Sequence, residues 1–310
     1  MKNKLKWIAI GVTLCLILIL GLLSVKVMHE YGWTVFIFAP FLIGFLPPFI
    51  TNRKHEMTLS ECFKAGFLTL GLACVGLLVF AIEGMVCILM ASPILIIMTF
   101  LGAYVAYVAQ DRKVLNRTNV ILLLMVAAIG SMSFDSIQKP EGLIPVRTKV
   151  VVNAPIEAVW HNVVTFHTIA EPTDWIFKTG IAYPINATIE GKGEGAIRYC
   201  NFNTGSFVEP ITKWQEPTLL QFDVLEQPIP MNEFNPFWEI HPPHLDGYFK
   251  SYKGQFKLTQ LSEQQTELEG TTWYQVDITP EVYWKTWSNF VIHRIHQRVL
   301  NHIKQVTEAQ

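Results

Sequence analysis

The chain lacks the features that mark several common classes of protein. Charged residues make up only 16% of its 310 residues, and cysteine occurs five times. Cys200 is the single cysteine after residue 135, so the second half of the chain cannot form an internal disulfide. The sequence has no Cys-x-x-Cys pair, no Gly-rich phosphate loop that opens a helix and no Gly-x-Ser-x-Gly nucleophile motif. Clustered Lys and Arg are also missing, which argues against nucleic acid as a partner.

What the sequence does contain changes in character near residue 135. The overall content of hydrophobic residues is 51%, and before residue 135 it is concentrated in long apolar runs. After residue 135 apolar and polar residues alternate, with 14 Lys and Arg against 19 Asp and Glu. We therefore predict a transmembrane domain at 1–135, a linker at 136–145 and a soluble domain at 146–310.

The first part is predicted to be an all-α membrane bundle of five transmembrane helices. A helix needs ~20 mostly apolar residues to cross a bilayer. The third and fourth runs must be separate helices, because one helix of their combined length would exceed any bilayer, and the sequence Glu83-Gly84 is the only polar break. The predicted spans are 7–25, 33–50, 65–82, 85–109 and 118–134.

The positions of Lys and Arg predict the orientation of the bundle. Nine of the ten Lys and Arg in this part lie at the N-terminus or in the second and fourth gaps between apolar runs, and only Lys26 lies in the first or third gap. Cytoplasmic loops carry the excess of positive charge. We expect a cytoplasmic N-terminus and, after five crossings, an extracytoplasmic C-terminal domain.

The second part is predicted to be an α+β domain. The alternation predicts a strand at 146–152, a helix at 156–166 that Asn153 caps, a short helical piece near 169–177, and six further strands. A long amphipathic helix from 279 to about 307 ends the domain. Only this helix is long enough to cover one face of a curved antiparallel sheet, so we predict seven strands wrapped on the C-terminal helix. The six later strands are predicted at 183–190, 196–203, 207–215, 219–227, 247–260 and 266–277.

Four segments of this part resemble a known superfamily. They are Val-Val-Val-Asn-Ala-Pro-Ile-Glu-Ala-Val-Trp at 150–160, Gly-Ala-Ile-Arg-Tyr-Cys-Asn-Phe at 195–202, Phe-Val-Glu-Pro-Ile at 207–211, and the final helix with its two tryptophans. Over residues 143–307 the pattern resembles the polyketide cyclase/dehydrase branch of the START-like (SRPBCC, helix-grip) superfamily. The resemblance implies a hollow between sheet and final helix that holds an apolar ligand. A multi-pass anchor departs from the mostly soluble relatives.

Candidate ligand-binding residues follow from this expected hollow. Arg198 and Glu209 lie on neighbouring predicted strands, and if both are buried they need each other, because an unpaired buried charge is costly. The alternatives are a purely structural ion pair or two solvent-facing side chains, and for the apolar candidates plain core packing. The full set of cavity candidates is Arg198, Tyr199, Glu209, Trp214, Trp284, Trp287 and Val291.

The long proline-rich stretch at 228–246 is a candidate lid. Long loops in compact domains are usually functional or disordered. Its apolar residues suit a lid that also touches lipid, since Trp and Phe favour the bilayer interface. A loop folded back on the domain is the alternative. The lid candidates are Met231, Phe234, Phe237 and Trp238.

The histidines do not predict a metal site. His293 and His296 lie three residues apart and share a helix face, but His302 points the opposite way. The His241-Pro-Pro-His244 segment is stiff and lacks enough converging ligands. We expect no metal and no cofactor.

The sequence favours a membrane-anchored protein whose START-like domain binds a hydrophobic small molecule or lipid. Two alternatives stay open. One is an enzyme of the cyclase or dehydratase kind that uses Arg198 and Glu209, and the other is a sensory or interaction module whose core is filled by its own aromatic rings. No catalytic residue is assigned, and whether the protein is an enzyme is undecided at this stage.

Overall fold

The structure is a computed structural model that describes residues 2–52, 56–111, 117–137 and 142–309. The chain forms two compact units. The first comprises Met1–Lys139, Glu233–Pro242 and Ile278–Val282, and the second comprises Pro140–Asn232, Pro243–Asp277 and Tyr283–Gln310. Part of the predicted linker, residues 138–141, and four of the basic residues used for the orientation lie outside the described residues. Those four are Arg53, Lys54, Arg112 and Lys113.

The first unit is helical. Its main helices are α1 (Lys2–Leu22), α2 (Ala39–Thr51), α3 (Leu59–Val79), α4 (Met85–Asp111) and α5 (Arg117–Ile137). The turn predicted at Glu83-Gly84 is confirmed, since α3 ends before it and α4 begins after it. Helix α3 begins earlier than predicted because Thr58 and Glu61 form a capping box at its start.

Four helical segments, rather than the five predicted, are long and apolar enough to cross a membrane. They are Lys4–Val27, Thr34–Thr51, Leu59–Val79 and Met85–Ala109. The predicted fifth span forms helix α5, but among the described residues its apolar stretch is only Leu122–Asp135. A span of that length is below the usual requirement of ~17–25 residues.

Helix α2 lies at the centre of the helical unit. The candidate span Thr34–Thr51, which contains α2, is 67% buried, against 22% for each of the other three candidate spans. Small residues allow its close approach to α4: a Cβ atom at Gly44 would lie 2.0 Å from the Thr99 carbonyl oxygen, and one at Gly102 would lie 2.1 Å from the Phe41 carbonyl oxygen. Helices pack tightly in membranes through such small residues.

A buried carboxylate at the end of α5 binds the start of the second helical segment, Thr34–Thr51. Asp135 is 2% exposed. Its Oδ1 accepts a hydrogen bond from the Trp33 amide at 2.7 Å, and its Oδ2 accepts from the Thr34 amide at 3.1 Å and the Thr34 hydroxyl at 2.9 Å. A carboxylate at a helix start satisfies donors that have no partner within the helix.

The second unit contains one seven-stranded sheet in which all neighbouring strands are antiparallel, as predicted. The strand order is β1-β7-β6-β5-β4-β3-β2. Strand β5 is shorter than predicted and ends at Asp223. The strands are β1 (Ile144–Val152), β2 (Pro184–Glu190), β3 (Ile197–Phe202), β4 (Gly205–Gln215), β5 (Leu219–Asp223), β6 (Phe249–Ser262) and β7 (Gln265–Val276).

Two helices complete this unit, α6 (Ile156–Val164) and α7 (Glu281–Glu308). The predicted Asn153 cap is wrong: Pro155 occupies the N-cap of α6, and the Asn153 side chain accepts a hydrogen bond from Gln265 instead. The second predicted helical piece is a short 3₁₀ turn, Trp175–Thr179. One core cluster joins α6, the sheet and the second half of α7, including Val159, Leu220, Leu268, Leu300 and Ile303.

Candidate functional site

The most unusual feature of the second unit is a buried ion pair. Arg198 on β3 and Glu209 on β4 are directly opposite each other in the register of the two strands. They are 1% and 5% exposed, and the Arg198 Nη1 atom donates a hydrogen bond to Glu209 Oε2. Fully buried charged residues are rare in proteins, and breaking such a pair is strongly unfavourable.

Three aromatic rings enclose the Arg198 guanidinium. Its Cζ atom lies 5.7 Å from the ring centre of Phe166, 5.4 Å from that of Phe222 and 5.5 Å from that of Phe256. These distances suit cation–π attraction, which strengthens when water is excluded. The sequence did not single out these three phenylalanines, and only their apolar character could have suggested them.

The hydrogen bonds of the guanidinium are incomplete. Arg198 Nε donates a long hydrogen bond of 3.4 Å to the Val164 carbonyl oxygen. The Nη2 atom is buried and makes no hydrogen bond to any residue that the structure describes. The Cys200 side chain also interacts with this guanidinium. A buried donor without an acceptor costs about 1–3 kcal/mol.

Burial controls the protonation states at this site. Burial raises the pKa of the Glu209 carboxyl, and the neighbouring Arg198 guanidinium opposes that rise. Burial also raises the pKa of Cys200, on the same face of β3, to about 12. The thiolate is the reactive form of cysteine, so Cys200 is not a nucleophile at neutral pH.

Of the other cavity candidates on the strands, Tyr199 faces away from this pair, whereas Trp214 packs against the core cluster that contains Phe166 and Phe222. Tyr199 is on the opposite face of β3, because successive side chains of a strand alternate between faces. Trp214 pairs with Leu220 across the sheet and packs edge-on against Trp160, with 5.6 Å between ring centres. No local sequence pattern indicates the register shift between Ile211 and Lys213 that precedes Trp214 on β4.

The candidates on α7 lie in its first half. Trp284 is buried, and Trp287 packs edge-on against Phe290 with 6.3 Å between ring centres. The part of α7 that shares a core cluster with Phe166, Phe222 and Phe256 is its second half. The strand order of the sheet and the packing of the long helix α7 on one of its faces identify the fold.

The second unit is a helix-grip domain. The chain is similar to several solved structures. One is norcoclaurine synthase from Thalictrum flavum, with 12% identity, a TM-score of 0.35 and coverage of 55% of this chain and 96% of that one. The Zhui aromatase/cyclase from Streptomyces sp. R1128 has 15% identity and a TM-score of 0.33, with 54% and 94% covered. A protein from Nitrosospira multiformis has 19% identity and a TM-score of 0.31, with 52% and 94% covered.

Neither the protein-family models nor the curated proteins gave a match. The assignment of the helix-grip fold therefore rests on the strand order and on the terminal helix of this chain itself.

A second polar cluster joins α7 to β1 and β7 of the helix-grip domain. The Thr148 hydroxyl oxygen lies 2.8 Å from His293 Nδ1 and 3.1 Å from His296 Nδ1. His296 Nε2 lies 2.8 Å from the Thr272 hydroxyl oxygen. The three-residue spacing of the two histidines correctly placed them on one helix face, but the two threonines had no signal in the sequence.

One consistent set of proton positions satisfies this cluster. Arg294 donates to Gln297 Oε1 at 3.0 Å, which turns the Gln297 amide nitrogen toward His293 Nε2 at 3.0 Å. His293 is then protonated at Nδ1 and donates to Thr148, whose hydroxyl donates to His296 Nδ1. His296 Nε2 then donates to the Thr272 hydroxyl oxygen on β7. Both imidazoles are neutral in this arrangement.

The neutral state of His296 makes stability depend on pH. Burial, followed by the nearby His293, lowers the pKa of His296 to about 4. The unfolded chain has an ordinary histidine pKa of ~6.5 and therefore binds the proton more readily. The contribution of His296 to stability is complete above pH 6.5 and should fall as the pH drops toward 4, by up to about 1.4 kcal/mol per pH unit.

We expect His296→Gln to remove this dependence, measured as the difference in melting temperature of the full chain between pH 6.5 and pH 4.5. The exposed His161 on α6 supplies the control, since His161→Gln should melt with the pH profile of the unchanged protein. Identical profiles for the two variants would contradict the assignment.

The lid candidates divide between the two units. Met231 is buried and pairs with Ile181 in the helix-grip domain. Phe234, Phe237 and Trp238 belong to the helical unit and are 58%, 59% and 56% exposed. The predicted lid stretch is therefore divided between the two compact units, and its role as a lid stays a prediction.

Hydrogen bonds hold residues 233–238 on the hairpin between α3 and α4. The Glu233 carboxylate accepts from the amides of Val86 and Cys87 at 3.2 and 3.0 Å, at the start of α4. Asn235 Nδ2 donates to the Leu78 carbonyl oxygen at 3.0 Å. Trp238 Nε1 likewise donates to the last carbonyl of α3 at 2.9 Å. Sequence reasoning missed Glu233 and Asn235, which the apolar residues of the loop overshadowed.

Proposed function

We propose that this protein is a membrane-anchored carrier whose helix-grip domain binds an apolar molecule that bears an acceptor oxygen, such as a lipid or a fatty acid. The observation that supports this function is the unpaired Nη2 donor of the buried Arg198 inside an aromatic cage. A carboxylate or carbonyl oxygen would satisfy that donor, and the surrounding rings favour an apolar body.

We also propose that the anchor crosses the membrane five times. Val120, near the start of α5, packs with Leu46 of α2, whereas Asp135 at its other end caps the start of the second helical segment at Thr34. The two ends of α5 therefore lie beside the candidate span Thr34–Thr51. Its 21 residues span about 31 Å, so α5 as a whole reaches across the ~30 Å of a hydrocarbon core, although its apolar stretch Leu122–Asp135 is shorter.

The arrangement of the gaps supports a cytoplasmic N-terminus and an extracytoplasmic helix-grip domain. Tyr31 in the first gap donates a hydrogen bond to Glu83 in the third gap at 3.3 Å, so these two gaps lie at one end of the helical unit. Only one Lys or Arg, Lys26, occurs in these two gaps, whereas the other end of each helix is flanked by positive charge. The division into a transmembrane domain at 1–135, a linker at 136–145 and a ligand-binding domain at 146–310 is part of this proposal.

The exposed rings of Phe234, Phe237 and Trp238 fit this orientation. They belong to a segment fixed beside the end of α3, at the level where a spanning helix leaves the hydrocarbon. Aromatic side chains are favoured at that depth. We propose that these three rings contact the lipid headgroup region.

Photolabelling of the purified full chain tests the carrier function. The probe is a fatty acid with a photoreactive diazirine on its chain, and peptide mapping locates the label. We expect labelling of peptides that contain Phe222 and Phe256. Arg198→Lys keeps a positive charge beside Glu209 but loses the planar set of donors, so labelling should fall by about tenfold.

Tyr199→Phe is the matched control, because Tyr199 is the next residue on β3 and faces the other way. Equal labelling of Arg198→Lys and Tyr199→Phe would refute the role of Arg198. If neither the unchanged protein nor any variant is labelled near Phe222 and Phe256, the domain has a solid core and the interaction-module alternative takes over.

The raised pKa of Glu209 favours a second candidate function, an enzyme of the cyclase or dehydratase kind. Such an enzyme needs a carboxyl group that exchanges a proton near neutral pH. Infrared difference spectra between the unchanged protein and Glu209→Gln would report the protonation of Glu209 as a function of pH. A carboxyl that is protonated at pH 7 favours the enzyme, and a permanent carboxylate favours the carrier.

A further inference from the structure

The helical unit contains an open groove that the carrier function does not use. Its volume is about 550 Å³, within the ~300–1,000 Å³ that small-molecule sites usually have. Side chains from the second helical segment, α4 and α5 form its walls, and most are apolar. The walls include Phe38, Phe41, Met98 and Phe134.

The walls of the groove come from apolar helical segments. Phe38 and Phe41 lie in the candidate span Thr34–Thr51, Met98 lies in Met85–Ala109, and Phe134 lies in the apolar stretch Leu122–Asp135. In a membrane the medium around such segments is hydrocarbon, which the apolar walls match. An acyl chain is therefore the occupant that the surroundings supply.

Two residues of this mostly apolar lining, Trp33 and Ser131, carry a polar side-chain group. Trp33 lines the groove, and its indole Nε1 atom is buried with no hydrogen-bond partner among the described residues. Trp33 stands at the start of its helical segment, where Asp135 caps the backbone. A helix start capped by a carboxylate marks the interfacial end of the groove, where lipid ester groups lie.

Gly130 leaves room in the wall formed by α5. A Cβ atom built on Gly130 would meet nothing within 4 Å, although the residue lines the groove. Its neighbours in the lining, such as Phe41 and Phe134, are large. The groove is therefore open at Gly130, and a larger side chain there would enter free space without disturbing the fold.

We propose that this groove binds one membrane glycerolipid, with an acyl chain along the apolar walls and an ester carbonyl that accepts a hydrogen bond from Trp33 Nε1. The hydrogen bond would satisfy the buried donor, which no described residue does. This site is separate from the ligand of the helix-grip domain and does not depend on it.

Native mass spectrometry of the full chain in detergent tests the proposal, with dioleoyl phosphatidylcholine and its dialkyl ether analogue as probes. The unchanged protein should bind the ester lipid about fivefold more tightly than the ether lipid, the value of one net hydrogen bond. Trp33→Phe keeps the ring and removes the donor, so the two lipids should bind equally to this variant.

Gly130→Leu should lower the affinity for both lipids by about tenfold, because its side chain fills the space of several methylene groups. Gly71→Leu is the matched control on α3, where a Cβ atom also meets nothing within 4 Å. Equal binding by Gly130→Leu and Gly71→Leu would mean that only annular lipid is retained, which overturns the proposal. Equal affinity of the unchanged protein for ester and ether lipid overturns it as well.

Discussion

Glu209→Ala is expected to destabilise the helix-grip domain by about 3–5 kcal/mol and to lower its melting temperature by about 10 °C. The variant leaves the Arg198 guanidinium charged, 1% exposed and without its carboxylate. Three aromatic rings surround that charge, and they cannot replace a counter-ion. Thermal unfolding of the full chain in detergent, followed by circular dichroism, measures the effect.

Two further variants separate the buried pair from ordinary charge loss. Glu267 forms an exposed ion pair with Lys149, so Glu267→Ala should cost less than about 1 kcal/mol. The double variant Arg198→Met with Glu209→Leu removes both charges and should recover most of the lost stability. If Glu209→Ala melts at the same temperature as Glu267→Ala, the pair is not the energetic centre of the core.

The sequence placed Arg198 and Glu209 on neighbouring strands but left open whether they form a buried ion pair, and it gave no account of the surroundings. Arg198 and Glu209 lie eleven residues apart on consecutive strands, so a hairpin register brings them together. The three rings come from separate parts of the chain, since Phe166 follows α6 while Phe222 and Phe256 lie on β5 and β6. Their convergence depends on the curvature of the whole sheet, which local periodicity does not encode.

The same limit applies to the helical unit. Long apolar runs identify four of its helices, because burial in hydrocarbon acts on each run independently. The contact between Glu233 and the start of α4 joins residues that are 147 positions apart in the chain. Nothing in the local sequence of Glu233 distinguishes it from a solvated carboxylate, so such a contact requires the tertiary structure.

Asp135 is a second carboxylate whose buried contacts could not be predicted from the local sequence. It directly follows the predicted span 118–134, where a carboxylate fits an ordinary exposed helix end. The structure buries it to 2% exposure and gives it three hydrogen bonds from Trp33 and Thr34. We expect Asp135→Ala to lower the stability of the helical unit by about 2–4 kcal/mol, because two backbone amides lose their acceptor in a buried site.

Gly32→Ala should disrupt the hydrogen bonds of Asp135 while the carboxylate itself is unchanged. A Cβ atom at Gly32 would lie 2.1 Å from Asp135 Oδ1, so the carboxylate would have to move from its donors.

Glu61 also caps a helix, α3, but it does so in exposed surroundings, and Glu61→Ala should cost about 1 kcal/mol or less. Melting of all three variants in detergent compares them. Equal losses in Asp135→Ala and Glu61→Ala would contradict a special role for the buried cap. Larger, matching losses in Asp135→Ala and Gly32→Ala would show that this carboxylate fixes the end of α5 against the second helical segment.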